Sequence, residues 1–484
     1  MSWLLLLGPS KPMDELLAKQ CGSVKIVGSE RGGCVGKCAA CRPGRFQSEV
    51  FGFLCLVYAM CVGWATLTPV LLAPLAASEF ATSDNAERRA FVMYSVGWML
   101  GGYGFGELAD RHGRRRTATA GLFLGSVSLV GMGLASGWGQ LLFAQLLLGF
   151  FVGGAGTSSY AAAVELTPAV FRTALVTTKA LAWSGGSIVL AALAYGITLE
   201  VPGSNGWRLI CFVAALPMAV AAALCAVWMP ETPLWSLSRG EHSEAQTTLR
   251  RIARKNGARV IMTATGSTLA LTLPRGHLER RLRSGKGGSG GLWRCLEKEM
   301  RSASLVCWFC WSVVTFAYYG LAFSAGHMSG SAYSTQVALA TVDVPALLVG
   351  FVVLECIGRR KALVLFSLVG GCAMVPLAFL DDPSAMKDGT NTASTAVMVL
   401  ASVGRYCLAS IWPILYLLAA ELPPTELRAT FFGGCTLFAR LAAIFAPIFV
   451  EKLQFKWTML VYGICLLAMA WLARTLPETA LRYI

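Results

Sequence analysis

The stretch GELADRHGRRR, from Gly106 to Arg116, returns half a chain later as VVLECIGRRK, from Val352 to Lys361. In each copy an acid, Asp110 or Glu355, stands three residues before a glycine, Gly113 or Gly358, and basic residues follow. Each copy closes a strongly apolar run. Other pairs repeat with it. Glu165-Leu-Thr-Pro168 leads to Arg172 and Glu421-Leu-Pro-Pro424 leads to Arg428, seven residues from acid to arginine in both. Pro230-Glu231-Thr232 recurs as Pro477-Glu478-Thr479. The three offsets, 245, 256 and 247 residues, are nearly one offset, which makes the chain two homologous halves. Internal repeats of this size are the usual origin of secondary transporter folds.

Composition places those halves in a bilayer. Hydrophobic residues make up 55% of the chain and charged residues 14%, where soluble domains carry about 25% charged. Twelve apolar runs are each about 20 residues long, enough to cross the hydrocarbon core. Backbone groups in hydrocarbon need internal partners, so the runs are expected to be helices. The alternating short segments of a membrane barrel are absent. The expected fold is all-α, twelve helices in two pseudo-symmetric six-helix bundles. The expected organisation is a tail over 1–48, a bundle over 49–229, a basic loop over 230–302, a second bundle over 303–475 and a tail over 476–484.

The formal charge of +15 sits mostly in loops of one side. The 230–302 stretch alone holds fourteen Lys/Arg against six Asp/Glu. Excess positive charge marks cytoplasmic loops, so both termini are expected in the cytoplasm, and the bilayer rather than nucleic acid is the expected partner. An amphipathic helix is expected over 241–256 and a Gly/Ser-rich linker over 284–291. The sixteen cysteines are read as reduced. Those within the apolar runs serve as small hydrophobes, and Cys34, Cys38 and Cys41 in the tail suit reduced thiols or palmitoylation better than zinc. The four histidines pair with no nucleophile or metal ligand at a recognised spacing, and Gly36-Lys37 is no phosphate loop. Neither an enzyme, a cofactor nor a metal site is expected.

Ionisable residues inside membrane helices are expensive and usually functional. Arg440 falls mid-way along the eleventh run. Asp343 precedes Pro345 in the eighth; it can bind a proton or cation, or neutralise an arginine. Arg405 is placed at the membrane edge. Trp311, Tyr318 and Tyr319 of the seventh run, with Tyr195 of the fifth, could wall an aromatic cavity for an organic ion. Gly149, Gly153, Gly154 and Gly156 form a small-residue stripe suited to close helix packing. A charge cluster is expected at the loop side: Asp110, Arg114, Arg115, Glu165, Arg172 and Glu231 from the first half, Glu355, Arg359, Glu421, Arg428 and Glu478 from the second. Made in one state and broken in another, it would act as a latch.

Gly106–Arg116 resembles the signature loop of the major facilitator superfamily. The ordered set PETPLWSLSRG (Pro230–Gly240), FAYYGL (Phe316–Leu321), VDVPA (Val342–Ala346) and the run Gly404–Pro447 resembles solute carrier family 22, the organic cation and anion transporters, over about residue 50 to the end. That resemblance implies transport of a small organic ion by alternating access. It implies that Arg440 holds substrate charge, because anion and carnitine-type members have arginine there and cation transporters an acid. It thus favours anions or zwitterions, in the plasma membrane. The sequence departs from the pattern at Gln145, where an arginine is usual, and at Leu347, where organic anion members tend to have a lysine. It also lacks cysteines and glycosylation sequons in the first outer loop. These departures point toward the family's orphan branch, and leave as an alternative a transporter-fold receptor or adaptor that binds without moving its ligand.

Overall fold

The computed structural model describes residues 44–63, 76, 79–80, 86–167, 171–201, 204–256, 293, 295–298, 300–325, 332–380, 391–423 and 428–479. The tail cysteines and the 284–291 linker lie outside them. Among the described residues there is no strand. The first half consists of α1 (Arg45–Leu56), prolonged by a π-helical stretch (Val57–Gly63), then α2 (Ala86–His112), α3 (Arg114–Gly133), α4 (Trp138–Leu166), α5 (Arg172–Glu200) and α6 (Ser204–Trp228). Two short helices follow, α7 (Pro233–Ser238) and α8 (His242–Lys255). The second half is α9 (Arg301–Ala325), α10 (Ala332–Ile357), α11 (Arg359–Leu380), α12 (Asn391–Glu421), α13 (Arg428–Lys452) and α14 (Phe455–Ala473). Among the described residues, eight of these helices have the length and hydropathy of a membrane span in their own right.

The two-fold repeat of the sequence is a two-fold repeat of packing. In the first half α2 and α3 pack on α4, α3 on α6, and the π-helical stretch on α5. In the second half α10 and α11 pack on α12, α11 on α14, and α9 on α13. Each pairing is its counterpart shifted by eight helices. The seam between the halves obeys the same symmetry, with α5 against α10 and α2 against α13. Large apolar side chains such as Leu100, Phe123, Phe143, Val227 and Trp471 stay exposed on the outside of the bundles, the surface that hydrocarbon covers.

Small residues set the closest approach. A Cβ on Gly149 would fall 2.1 Å from the Tyr94 carbonyl oxygen, and one on Gly101 would fall 1.8 Å from that of Phe150. The glycine stripe of α4 is therefore a packing surface for α2, as expected. The amphipathic helix over 241–256 forms as α8, and it clamps the start of α1. The Asn256 side chain accepts from the Phe46 backbone N–H at 2.9 Å, and the Lys255 ammonium pairs with Glu49. Arg251 donates to the last carbonyl of α6, Trp228, at 3.0 Å.

Candidate functional site

A chamber lies between the bundles. The π-helical stretch, α2, α4 and α5 wall it on one side, and α9, α10, α12 and α13 on the other. Aromatic contacts join the bundles toward both ends. Toward the end bearing α7 and α8, hereafter the charged end, Tyr160 of α4 meets Tyr416 of α12 and Phe432 of α13 at centroid distances of 5.2 and 5.4 Å. Toward the opposite end Phe91 of α2 meets Tyr319 and Phe323 of α9 at 5.0 and 5.1 Å. The π-helical stretch turns Tyr58 into the chamber wall, where its hydroxyl donates to the Gly156 carbonyl at 3.0 Å. Such bulges recur at functional sites.

Arg440 lies in the chamber wall, 8% exposed. Its guanidinium stacks on Trp98 of the other bundle, 3.6 Å from the ring centroid, and donates to the Tyr319 hydroxyl at 3.4 Å. Among the described residues no carboxylate pairs with it. Asp343 is different. It receives two hydrogen bonds from Arg405, both 2.8 Å, and a third from the Tyr318 hydroxyl at 2.9 Å. Arg405 also lies 3.5 Å from the Tyr318 ring centroid. A bidentate arginine neutralises the acid and satisfies both its oxygens. Of the two sequence readings of Asp343, partner to a buried arginine is the one the geometry realises. Arg405 is thereby corrected: it stands well inside α12 and is 4% exposed, not at a membrane edge.

Trp311, Tyr318 and Tyr319 line the chamber, and so does Leu347. Tyr195 does not; it is half-exposed on the outer side of α5. The residue that sequence reasoning missed is Lys179 of α5. It lines the chamber, is 3% exposed, and its ammonium lies on the rings of Tyr58, Tyr160 and Tyr416.

At the charged end the repeated motifs meet. Gly113 and Gly358 both take positive φ, 100° and 88°, and so turn the chain between α2 and α3 and between α10 and α11. The helix that follows each glycine is capped by a distant carboxylate. Glu231 accepts from the Arg114 N–H at 2.9 Å and the Arg115 N–H at 3.2 Å; Glu478 accepts from the Arg359 N–H at 2.9 Å and the Arg360 N–H at 3.2 Å. Burial pushes the Glu231 carboxyl above its ordinary pKa, while the Thr232, Arg114 and Arg115 N–H groups pull it down. Arg114 pairs with Asp110 at 2.7 Å and Glu165 at 3.3 Å, and Arg115 donates to the Ala226 carbonyl at the end of α6. Arg359 pairs with Glu421 at 3.6 Å, and Thr479 donates to the same carboxylate at 2.6 Å. Arg172 opens α5 and is buried.

One member of the expected cluster does not match its counterpart. Glu355 is exposed and forms no ion pair among the described residues, whereas its counterpart Asp110 pairs with Arg114. Arg428 begins α13, and its side chain lies outside the described residues. No group of three metal-ligand side chains occurs among the described residues.

Two symmetric bundles around a central chamber, with matching charge clusters at one end, are the architecture of a major facilitator transporter. The solved proton:xylose symporter XylE bound to 6-bromo-6-deoxy-D-glucose has this fold: its TM-score to the chain is 0.71, over 90% of this chain and 96% of that one, at 18% identity. Residues 49–484 match the sugar (and other) transporter family, and the chain belongs to it. It is thus a multi-pass membrane transporter. Human organic anion transporter 3 is similar at 28% identity over 82% of this chain and 70% of its own length. Rabbit solute carrier family 22 member 6 is similar at 28% over 80% and 67%. These relatives agree with the resemblance to solute carrier family 22 carried by the motifs. They are transporters, which does not favour the receptor alternative.

Proposed function

We propose that this chain carries small organic anions across the bilayer by alternating access, with Arg440 holding the substrate's charge. The observation that carries this reading is the charge balance of the chamber. Asp343 and Arg405 cancel, whereas Arg440 has aromatic rings for partners and no acid among the described residues. An arginine at membrane depth without a counter-charge is expensive. A carboxylate or sulfate of the substrate supplies that charge in the bidentate geometry guanidinium favours. Trp98, Trp311, Tyr318, Tyr319 and Trp412 in the chamber wall offer ring faces for the apolar body of an organic acid. The relatives named as organic anion transporters support the same substrate class.

In this reading the bundles span 49–229 and 303–475, and the charged end, with the 230–302 loop and both termini, faces the cytoplasm of a plasma-membrane protein. The Arg114 and Arg359 clusters form its inner gate, with Asp110, Glu165, Arg172, Glu231, Glu421 and Glu478. The test is uptake of a labelled aromatic carboxylate and of its uncharged amide into proteoliposomes. Saturable uptake of the acid alone, abolished in Arg440→Ala and Arg440→Asp, is expected. Equal uptake of both solutes, or full activity in Arg440→Asp, would sink the assignment.

A further inference from the structure

We propose that Lys179 is a second anion-binding residue of the chamber, and that the arriving anion draws it off Tyr416 of the opposite bundle. The proposal rests on the organic-anion reading and deepens it.

Lys179 stands seven residues into α5, about 10 Å from the start of that helix at 1.5 Å per residue. This puts it on the charged-end side of the chamber it lines. Its ammonium has no hydrogen-bond partner and no carboxylate among the described residues. Three tyrosine faces surround it instead. Tyr58 and Tyr160 of its own bundle lie at 4.5 and 4.8 Å, and Tyr416 of the other bundle at 2.9 Å. Ring faces attract a cation but bring no counter-charge. They offset part of the cost of burying an ammonium and leave its hydrogen-bonding capacity unused. An anionic group in the chamber fills what is missing.

The arrangement has a counterpart. Arg440, of the second bundle, lies on Trp98 of the first at 3.6 Å. Lys179, of the first bundle, lies on Tyr416 of the second at 2.9 Å. Lys179 and Arg440, which have no acid partner among the described residues, each rest on an aromatic ring across the seam. Leu347 of α10 offers no charge to the same chamber, and Lys179 supplies one from α5, the helix packed against α10.

The contact to Tyr416 also belongs to the seam toward the charged end. The Tyr160 hydroxyl donates to the Tyr416 carbonyl across it at 3.4 Å. An anion that pairs with Lys179 removes one of the contacts holding the bundles together there. Occupancy of the site and release of the charged end are then coupled through one side chain, since a ligand shifts a conformational equilibrium by its differential interactions with the two states. The fitting ligand is an organic acid with an aromatic body.

The experiment measures binding of 2-naphthoate and of its uncharged amide to the full chain in nanodiscs. Lys179→Gln is expected to weaken 2-naphthoate about tenfold and leave the amide unchanged, so that amide binding certifies the fold. Lys179→Arg, which keeps the charge, should restore the acid. Tyr416→Leu should tighten 2-naphthoate, because the ammonium is no longer held by the ring, and Tyr416→Phe, which keeps a ring face, should behave as the unsubstituted protein. Loss of naphthoate binding in Arg440→Ala with none in Lys179→Gln would overturn the role of Lys179 and leave that of Arg440. Weakening by Tyr416→Leu as large as that by Lys179→Gln would overturn the exchange. Equal affinity of the unsubstituted chain for acid and amide would overturn the organic-anion reading itself, and this proposal with it.

Discussion

Glu231 and Glu478 occupy one position in two halves: each carboxylate reaches past a left-handed glycine to accept the first backbone N–H groups of a membrane helix. Those N–H groups have no partner within their own helix, and a negative charge there also answers the helix dipole. Removing either carboxylate, as Glu231→Ala or Glu478→Ala, is expected to destabilise its half by about 1–2 kcal/mol. Gly113→Ala should cost more than Glu231→Ala. A side chain there is strained by the φ of 100°, and its Cβ would lie 2.4 Å from the Glu231 carboxylate oxygen. Melting of the detergent-purified variants, followed by the monodisperse fraction after heating, ranks them. Unchanged melting of Gly113→Ala would contradict the capping arrangement.

The two arginine clusters are alike within their halves and unlike across the seam. Arg114 pairs with Asp110 and Glu165, both of the first half. Arg359 pairs with Glu421 of its own half and also donates to the Thr173 hydroxyl of α5, at 3.5 Å. Of these two arginines, only Arg359 makes, among the described residues, a contact that must break when the bundles part at this end. Arg359→Ala is expected to raise maleimide labelling of a cysteine introduced beside Thr173 at least severalfold, and Arg114→Ala to raise it less. Equal labelling of the two variants would mean that the clusters hold their own halves and do not latch the seam.

Much of this was legible because repetition is a strong signal. The matching acids, glycines and arginines place the charged ends of both halves before any helix is drawn. What Glu231 and Glu478 do was not legible, since a helix cap joins residues more than a hundred positions apart. Residue type alone also misplaced Tyr195. At about 100° per residue it lies roughly 160° around α5 from Lys179, so the two cannot share a face. Lys179 is the only lysine inside the twelve apolar runs, and that was the available signal. It stood near the start of its run, where a lysine ordinarily reads as one that stretches to the membrane surface. Arg405 was misjudged: it stands mid-helix in α12 beside Asp343, a partner on α10 that its own run does not reveal.

The Asp343–Arg405 pair sets a prediction about what each charge is for. Both side chains are buried, at 3% and 4% exposure, and each meets most of the other's hydrogen-bonding needs. Breaking such a pair from one side strands the remaining charge and typically costs about 3–5 kcal/mol. Asp343→Asn and Arg405→Gln should each lower the melting temperature strongly. The double substitution Asp343→Asn with Arg405→Gln should recover much of the loss, because no unpaired charge remains. Near-additive losses in the double-mutant cycle would show that Asp343 meets a different partner in the membrane.

At the opposite end a second charged tie makes stability depend on pH. Arg208 of α6 donates to the Gly133 and Ala135 carbonyls at 2.9 and 2.8 Å, closing the end of α3, and to Glu79 at 2.7 Å. The Trp207 indole donates to the other Glu79 oxygen at 2.8 Å. The hydrogen bond from Arg208 holds the Glu79 carboxyl below its ordinary pKa, the Trp207 bond adds to this, and burial opposes it. A carboxyl whose pKa is lower folded than unfolded contributes stability that is fully present above the unfolded value, about 4.3, and is lost as pH falls through the folded one. The difference in melting temperature between the unsubstituted chain and Glu79→Gln should therefore be constant from pH 8 to about 5 and shrink below about 4. A difference that persists undiminished at the lowest pH the fold survives would mean that the carboxylate's charge contributes nothing there, and that the tie is the shape of the side chain alone.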